Sequence, residues 1–108
     1  MGEMTITHRQ KANIAAAKLL GLEYSAKSIH KTNNGTWHID MNLDIFTNPA
    51  DCLAVVKKLG QYGLKLESNG SQRWLSFIQV LIGEYKPCCT HWMTYEEAVA
   101  AACLEIGG

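Results

Sequence analysis

The sequence predicts a single small α+β domain spanning residues 1–108, built as a layered α/β/α sandwich. Three segments place apolar residues at helical spacing between recognisable start and stop residues. Three others alternate apolar and polar residues, which is the period of a half-buried strand. Apolar residues make up 47% of the chain and charged residues 19%, enough for one globular core. We therefore expect three helices on a mainly antiparallel three-stranded sheet, in the order α-β-α-β-β-α.

The first helix is predicted over residues 8–20. Thr7, with Gln10 three positions later, has the spacing of a capping box. Gly21 follows the last periodic residue and predicts the end of the helix. The apolar face is formed by Ala12, Ala15, Ala16 and Leu19.

The first strand is predicted at residues 37–42, after a turn at "TNNG" (residues 32–35), because Asn and Gly tolerate positive φ. Its residues alternate in polarity with a period of two. The apolar set is Trp37, Ile39 and Met41, and the polar set is His38, Asp40 and Asn42.

The second helix has the clearest boundaries. Asn48 is a favourable N-cap, Pro49 suits the first helical position, and Asp51 complements the helix dipole. Gly63 predicts the end. The apolar stripe consists of Cys52, Val55, Val56, Leu59 and Tyr62.

The remaining elements are two strands and a last helix. Short alternation at residues 64–67 and a longer run at 73–82 predict a hairpin joined by "SNGSQ". The longer strand is apolar on both faces, which predicts cover on both sides or a partner. Thr94 and Glu97 form a second capping box. An Ala-rich helix follows it, slim enough to approach a neighbour closely, with the stripe Tyr95, Ala98, Val99, Ala102 and Ile106.

Charge and segment composition exclude several classes of function. Ten basic and ten acidic residues give zero net charge, which argues against a nucleic-acid partner because phosphate binding relies on cationic excess. Lys18, Lys27, His30 and Lys31 are interpreted as solvated rather than as a binding patch. No signal peptide or membrane-spanning run is seen. We therefore expect a cytoplasmic protein without a membrane partner, with free thiols.

The most reactive-looking segment is "KPCCTHW" (residues 86–92). Cys88, Cys89 and His91 are weak candidates for a metal site, with His8, His30 or His38 as distant ligands. Adjacent cysteines tend to point apart, and zinc sites usually draw on paired C-x₂₋₄-C ligands. We expect a loop here, with no catalytic residues, no metal and no cofactor.

Acidic residues and exposed aromatics give two further candidates. Asp40, Asn42 and Asp44 resemble the start of a calcium loop, but position six would be Ile45, where that loop needs glycine. We interpret them as the wet side of a strand. A ligand or partner surface is predicted at Trp92, His91, Tyr95 and Trp37, because exposed aromatics mark such surfaces.

Four segments resemble the phage ABA-sandwich family, whose members are small phage and prophage proteins of unknown function. They are "NIAAAKLLG" (residues 13–21), "DIFTNPADCLAVVKKLGQYGLKLE" (44–67), "RWLSFI" (73–78) and "TYEEAVAAACLE" (94–105). The resemblance covers most of the chain and implies a phage or prophage accessory protein. It brings no catalytic residues.

The function hypothesis is a non-enzymatic module that binds a host or phage protein, such as a component of host defence. One alternative is a small-ligand or nucleotide binder with a pocket at Trp92, His91 and Tyr95. Another is a cysteine- or zinc-dependent enzyme near Cys88. The long apolar strand could also form a homodimer.

Overall fold

The computed structural model describes residues 6–107. They form three helices and five strands in the order α-β-β-α-β-β-β-α. A small α+β fold is therefore confirmed, with two strands more than the sequence predicted. The helices are α1 (Ile6–Leu19), α2 (Pro49–Leu59, followed by a single 3₁₀ turn at Gly60–Tyr62) and α3 (Tyr95–Gly107), and the strands are β1 (Ala26–Lys31), β2 (Trp37–Met41), β3 (Lys65–Ser68), β4 (Trp74–Leu81) and β5 (Glu84–Pro87).

Helix α2 begins where its N-cap predicts, and the 3₁₀ turn that follows it ends at the predicted Gly63. The Asn48 side chain accepts a hydrogen bond from the Ala50 N–H at 3.0 Å, which satisfies one of the free donors of the first turn. Gly63 lies in the left-handed region at φ 73°, and the next N–H, of Leu64, donates to the Leu59 carbonyl. These contacts confirm the predicted cap and stop.

Helix α1 ends in a Schellman motif. The Gly21 N–H donates to the Lys18 carbonyl at 3.1 Å, and the Leu22 N–H donates to the Ala17 carbonyl at 2.8 Å. The predicted cap at Thr7 is wrong, because Thr7 lies within the helix. The predicted stop at Gly21 is confirmed.

Helix α3 carries the predicted capping box. The Thr94 N–H donates to Glu97 Oε1 at 3.1 Å, and the Glu97 N–H donates to Thr94 Oγ1 at 3.2 Å. All side chains from Glu97 to Cys103 are buried, so α3 is covered all round. In the described part of the chain, every helix is too short or too polar to cross a membrane.

The five strands form two separate antiparallel sheets, β1-β2 and β3-β4-β5. One face of β4 packs on α3, where Trp74 meets Tyr95 edge-on and Ser76 Oγ donates to the Ala98 carbonyl at 2.7 Å. On the other face, Lys65 lies over the rings of Phe77 and Tyr85, at 5.7 and 5.3 Å. The Lys65 ammonium therefore lies within cation–π range of two rings on this face.

The layers therefore differ in detail from a sheet enclosed by helices. Helix α3 is the central layer, with the three-stranded sheet on one side and α1 and α2 against it elsewhere. Small side chains permit this arrangement. A Cβ added at Gly107 would lie 3.2 Å from the Ala15 carbonyl oxygen of α1. The Ala-rich helix approaches its neighbour closely, as the sequence predicted.

Candidate functional site

The hairpin β1-β2, called the arm (residues 26–41), stands apart from the core. Both strands are mainly exposed, and no arm residue belongs to the core cluster of the described chain. The turn is closed by the Thr32 N–H, which donates to the Thr36 carbonyl at 2.7 Å, and by Gly35 at φ 87°. At the base, Asn42 Nδ2 donates to the Glu23 carbonyl at 2.7 Å.

The register of the arm sorts its side chains onto two faces. Ile29 pairs with Ile39, and Lys31 pairs with Trp37. Since side chains alternate along a strand, these four share one face, called the apolar face. The opposite face, called the histidine face, carries the pairs His30 with His38 and Ser28 with Asp40.

The apolar face is open to solvent. Trp37 is 69% exposed, Ile29 60% and Ile39 54%. The Lys31 ammonium lies 5.9 Å from the Trp37 ring centre, within cation–π range. The apolar face therefore has the composition typical of the centre of a protein–protein interface, with the Lys31 ammonium beside the Trp37 ring.

The histidine face gathers two imidazoles around one carboxylate. His38 Nε2 lies 2.8 Å from Asp40 Oδ1, and His30 Nδ1 lies 3.9 Å from Asp40 Oδ2. Ser28 Oγ donates to Asp40 Oδ2 at 3.0 Å. This hydrogen bond, followed by that of His38, lowers the pKa of Asp40. The two rings are tilted by 47° with centres 5.1 Å apart.

An open cleft of about 420 Å³ lies between the base of the arm and the start of α2. Two of its three aspartates serve the fold. Asp44 accepts from the Phe46 N–H at 3.0 Å and the Thr47 hydroxyl at 2.8 Å, and Asp51 accepts from the Asp44 N–H at 3.0 Å. The third, Asp40, belongs to the histidine face. The apparent calcium-loop spacing is therefore divided between the arm and a capped loop.

The structure places Cys88, Cys89 and His91 between β5 and α3. Cys89 Sγ lies 3.3 Å from Ser76 Oγ, and His91 Nδ1 lies 3.0 Å from the hydroxyl of Thr90. Burial raises the pKa of the Cys88 thiol to about 11. In residues 6–107, the group of three side chains placed to share a metal ion is His30, His38 and Asp40 instead.

The predicted aromatic surface is split between two elements. Trp92 is 41% exposed in the loop before α3, whereas Tyr95 packs its ring on Trp74 at 5.2 Å. Trp37 lies on the arm. Trp37 and Trp92 thus offer two exposed surfaces, and Tyr95 is partly used by the core.

The sequence missed the pairing of His30 with His38. A signal was present: the two residues lie four positions either side of Asn34, the middle of the five-residue connection 32–36, and hairpin pairs are placed symmetrically about their turn. Ala26–Lys31 has no apolar alternation, so its own pattern does not predict a strand. No protein-family model matches this chain, and no match is found among curated proteins or solved structures.

Proposed function

We propose that the chain is a non-enzymatic binding module that docks on a partner protein through the apolar face of the arm. The exposure of Ile29, Trp37 and Ile39 side by side carries the proposal. Contiguous apolar surface on a small protein is typical of interaction sites. Tryptophan is among the residues most enriched at the energetic centre of interfaces.

The side chains of the apolar face indicate the chemistry of the partner's binding surface. Lys31 lies on the apolar face beside Trp37, so the docking surface combines a large ring, two branched aliphatic side chains and an ammonium. An apolar groove with carboxylates at its border would match each of these groups. We therefore assign the partner this chemistry.

The isolation of the arm also supports docking. A two-stranded hairpin alone is marginally stable in water, and this one adds no residue to the core of the described chain. Covering its apolar face would give the two strands the burial that they lack. A partner protein is the simplest source of that cover.

The two alternative functions have less support. A cysteine nucleophile acts as the thiolate, and the raised pKa of Cys88 keeps that thiol neutral near pH 7. The small-ligand or nucleotide pocket was predicted at Trp92, His91 and Tyr95, and the Tyr95 ring packs on Trp74 at 5.2 Å, so the core uses part of that surface. The resemblance to the phage ABA-sandwich family adds an origin to the proposal, a phage or prophage accessory protein. The genes neighbouring its own would test that origin.

Site-directed photo-crosslinking tests the docking surface. A photo-reactive benzoyl-phenylalanine replaces Trp37 in one chain and Trp92 in another, and each chain is irradiated in the cells that naturally produce it. We expect one discrete crosslinked protein from position 37 and none from position 92. The two positions are matched, because both are exposed tryptophans.

Affinity for the captured protein then separates the outcomes. Trp37→Ala should weaken binding by about 30-fold or more, the loss typical of an interface hot spot. Trp92→Ala should leave binding unchanged. Crosslinking from position 92 alone would place the interface in the loop before α3. The absence of any discrete product from position 37 would overturn the proposal.

A further inference from the structure

We propose that His30, His38 and Asp40 form a zinc site on the histidine face of the arm. The site lies on the opposite side of the hairpin from the docking surface proposed above, and it stands without that proposal. Each residue offers one ligand atom, and the three atoms all lie within 4.8 Å of one another.

The geometry needs only side-chain adjustment to accept the ion. Tetrahedral zinc with bonds of about 2.0–2.1 Å sets its ligand atoms about 3.3 Å apart. His38 Nε2 lies 2.8 Å from Asp40 Oδ1, and His30 Nδ1 lies 3.9 Å from the other carboxylate oxygen, Oδ2. Rotation of the carboxylate and the imidazoles would bring one oxygen and both nitrogens to the tetrahedral spacing. The three side chains are exposed, so small torsional changes meet no packed neighbour.

The backbone holds the ligands in place. His30 and His38 are directly paired across the β1-β2 ladder, which fixes the separation of their Cβ atoms. Asp40 follows two positions after His38 and therefore points to the same face. The Ser28 hydroxyl, at 3.0 Å from Asp40 Oδ2, orients the carboxylate from outside the ligand set, the role that supporting hydrogen bonds play in metal sites.

The donor set selects the class of metal. Two imidazoles and one carboxylate suit zinc, copper or nickel, whereas calcium and magnesium prefer oxygen ligands throughout. Zinc is the ion we assign, because three protein ligands of this kind leave a fourth tetrahedral position for water. The bound ion would join β1 to β2 across their exposed face and hold the arm in its register.

Calorimetric titration of zinc into the untagged, reduced chain tests the site. We expect one zinc per chain, with His38→Ala or Asp40→Ala weakening the affinity by about tenfold or more, since loss even of an outer-shell partner costs 10–100-fold. His91→Ala is the matched control, because it removes an exposed histidine outside the arm. It should leave the affinity unchanged.

Two further measurements make the outcome decisive. Circular dichroism verifies that each variant is folded, which the exposure of the arm favours. In proton–nitrogen spectra, zinc should shift the imidazole nitrogens of His30 and His38 and leave those of His91 in place. A chain that binds no zinc would overturn the proposal. Binding that survives His38→Ala and disappears in Cys88→Ser would overturn it too, and would place the ion at the thiols.

Discussion

Asn13 links α1 to the loop before α2, and its removal should be costly. The side chain is buried, its Oδ1 accepts from the Ile45 N–H at 3.0 Å, and its Nδ2 donates to Asp44 Oδ1 at 3.3 Å. In Asn13→Ala the Ile45 N–H would remain buried without a partner, at about 1–3 kcal/mol. The longer bond to Asp44 adds about 0.5–1.5 kcal/mol, so we expect a total loss of about 1.5–4.5 kcal/mol.

Urea unfolding followed by tryptophan fluorescence measures this loss as a shift of the midpoint at constant slope. Asn33→Ala is the matched control, because Asn33 is exposed in the arm turn, and its effect should stay within about 0.5 kcal/mol. Asn13→Asp keeps the acceptor for the Ile45 N–H but places a carboxylate beside Asp44. Like-charge repulsion should therefore leave a loss of stability in this variant although the acceptor is retained. A loss no larger than that of Asn33→Ala would refute the role of Asn13.

Three further predictions concern a glycine, the thiols and the exposed end of β4. Gly63→Ala should lower the free energy of unfolding by about 2–4 kcal/mol, because the new Cβ would lie 2.5 Å from the Gln79 Cβ at a φ of +73°. Gly35→Ala is the control, also at positive φ but in open space, and should cost about 1 kcal/mol. Equal losses in the two variants would show that the contact with Gln79 has no effect. Burial raises the pKa of Cys88 from 9.0 to about 11 and that of Cys103 to about 12, so the folded chain keeps these protons longer than the unfolded chain and the free energy of unfolding should fall as the pH rises above 9.0. Cys88→Ser should make the fall of the urea midpoint between pH 9.0 and about 11 less steep and leave the part due to Cys103; a fall unchanged by the substitution would contradict the contribution of Cys88. Val80, Leu81 and Ile82 are 55%, 64% and 98% exposed, so we expect two copies of the chain to pair through this end of β4. Light scattering should give twice the mass of one chain, and the mass of one chain in Ile82→Asp. A monomeric wild-type chain would refute the dimer.

The elements that the sequence predicted mostly bury a face; β2 is the exception, because its apolar residues alternate as predicted but lie open to solvent. In α2, Cys52, Val55 and Leu59 recur at helical spacing because one side of that helix meets the core. In β4, Ser76 and Ile78 are buried against α3 while Val80 and Leu81 are exposed, so the inner half of the strand packs as alternation requires. Burial of a periodic face is what places a periodic pattern in a sequence.

The two strands that the sequence missed bury nothing. All residues of Ala26–Lys31 and of Glu84–Pro87 are exposed, so neither segment has an inner face to set a period of two. Both are held by backbone pairing to a neighbour, β1 to β2 and β5 to β4. Pairing of this kind depends on turn chemistry and register, which leave a weaker trace in the sequence than burial does.

The candidate site was missed in part for the same reason. His38 and Asp40 were expected on the wet side of a strand, and they lie there, but the third member, His30, belongs to the unpredicted β1. Cys88, Cys89 and His91 are predicted as weak metal ligands because they are close in sequence. The histidine face instead joins residues on opposite strands, and a pairing register was needed to bring them together.

The arm carries two different surfaces on its opposite sides, the histidine face and the apolar face. Its strands are held mainly by each other, by the turn at Thr32 and by the Asn42 clamp, so the free energy that keeps them paired is small. Any ligand that binds the paired state more tightly than the frayed state stabilises that pairing. Under the two proposals above, zinc on the histidine face and a protein on the apolar face would both meet this condition. Linkage is reciprocal. Each ligand would therefore favour the binding of the other although they share no contact, because both stabilise the paired state of the hairpin.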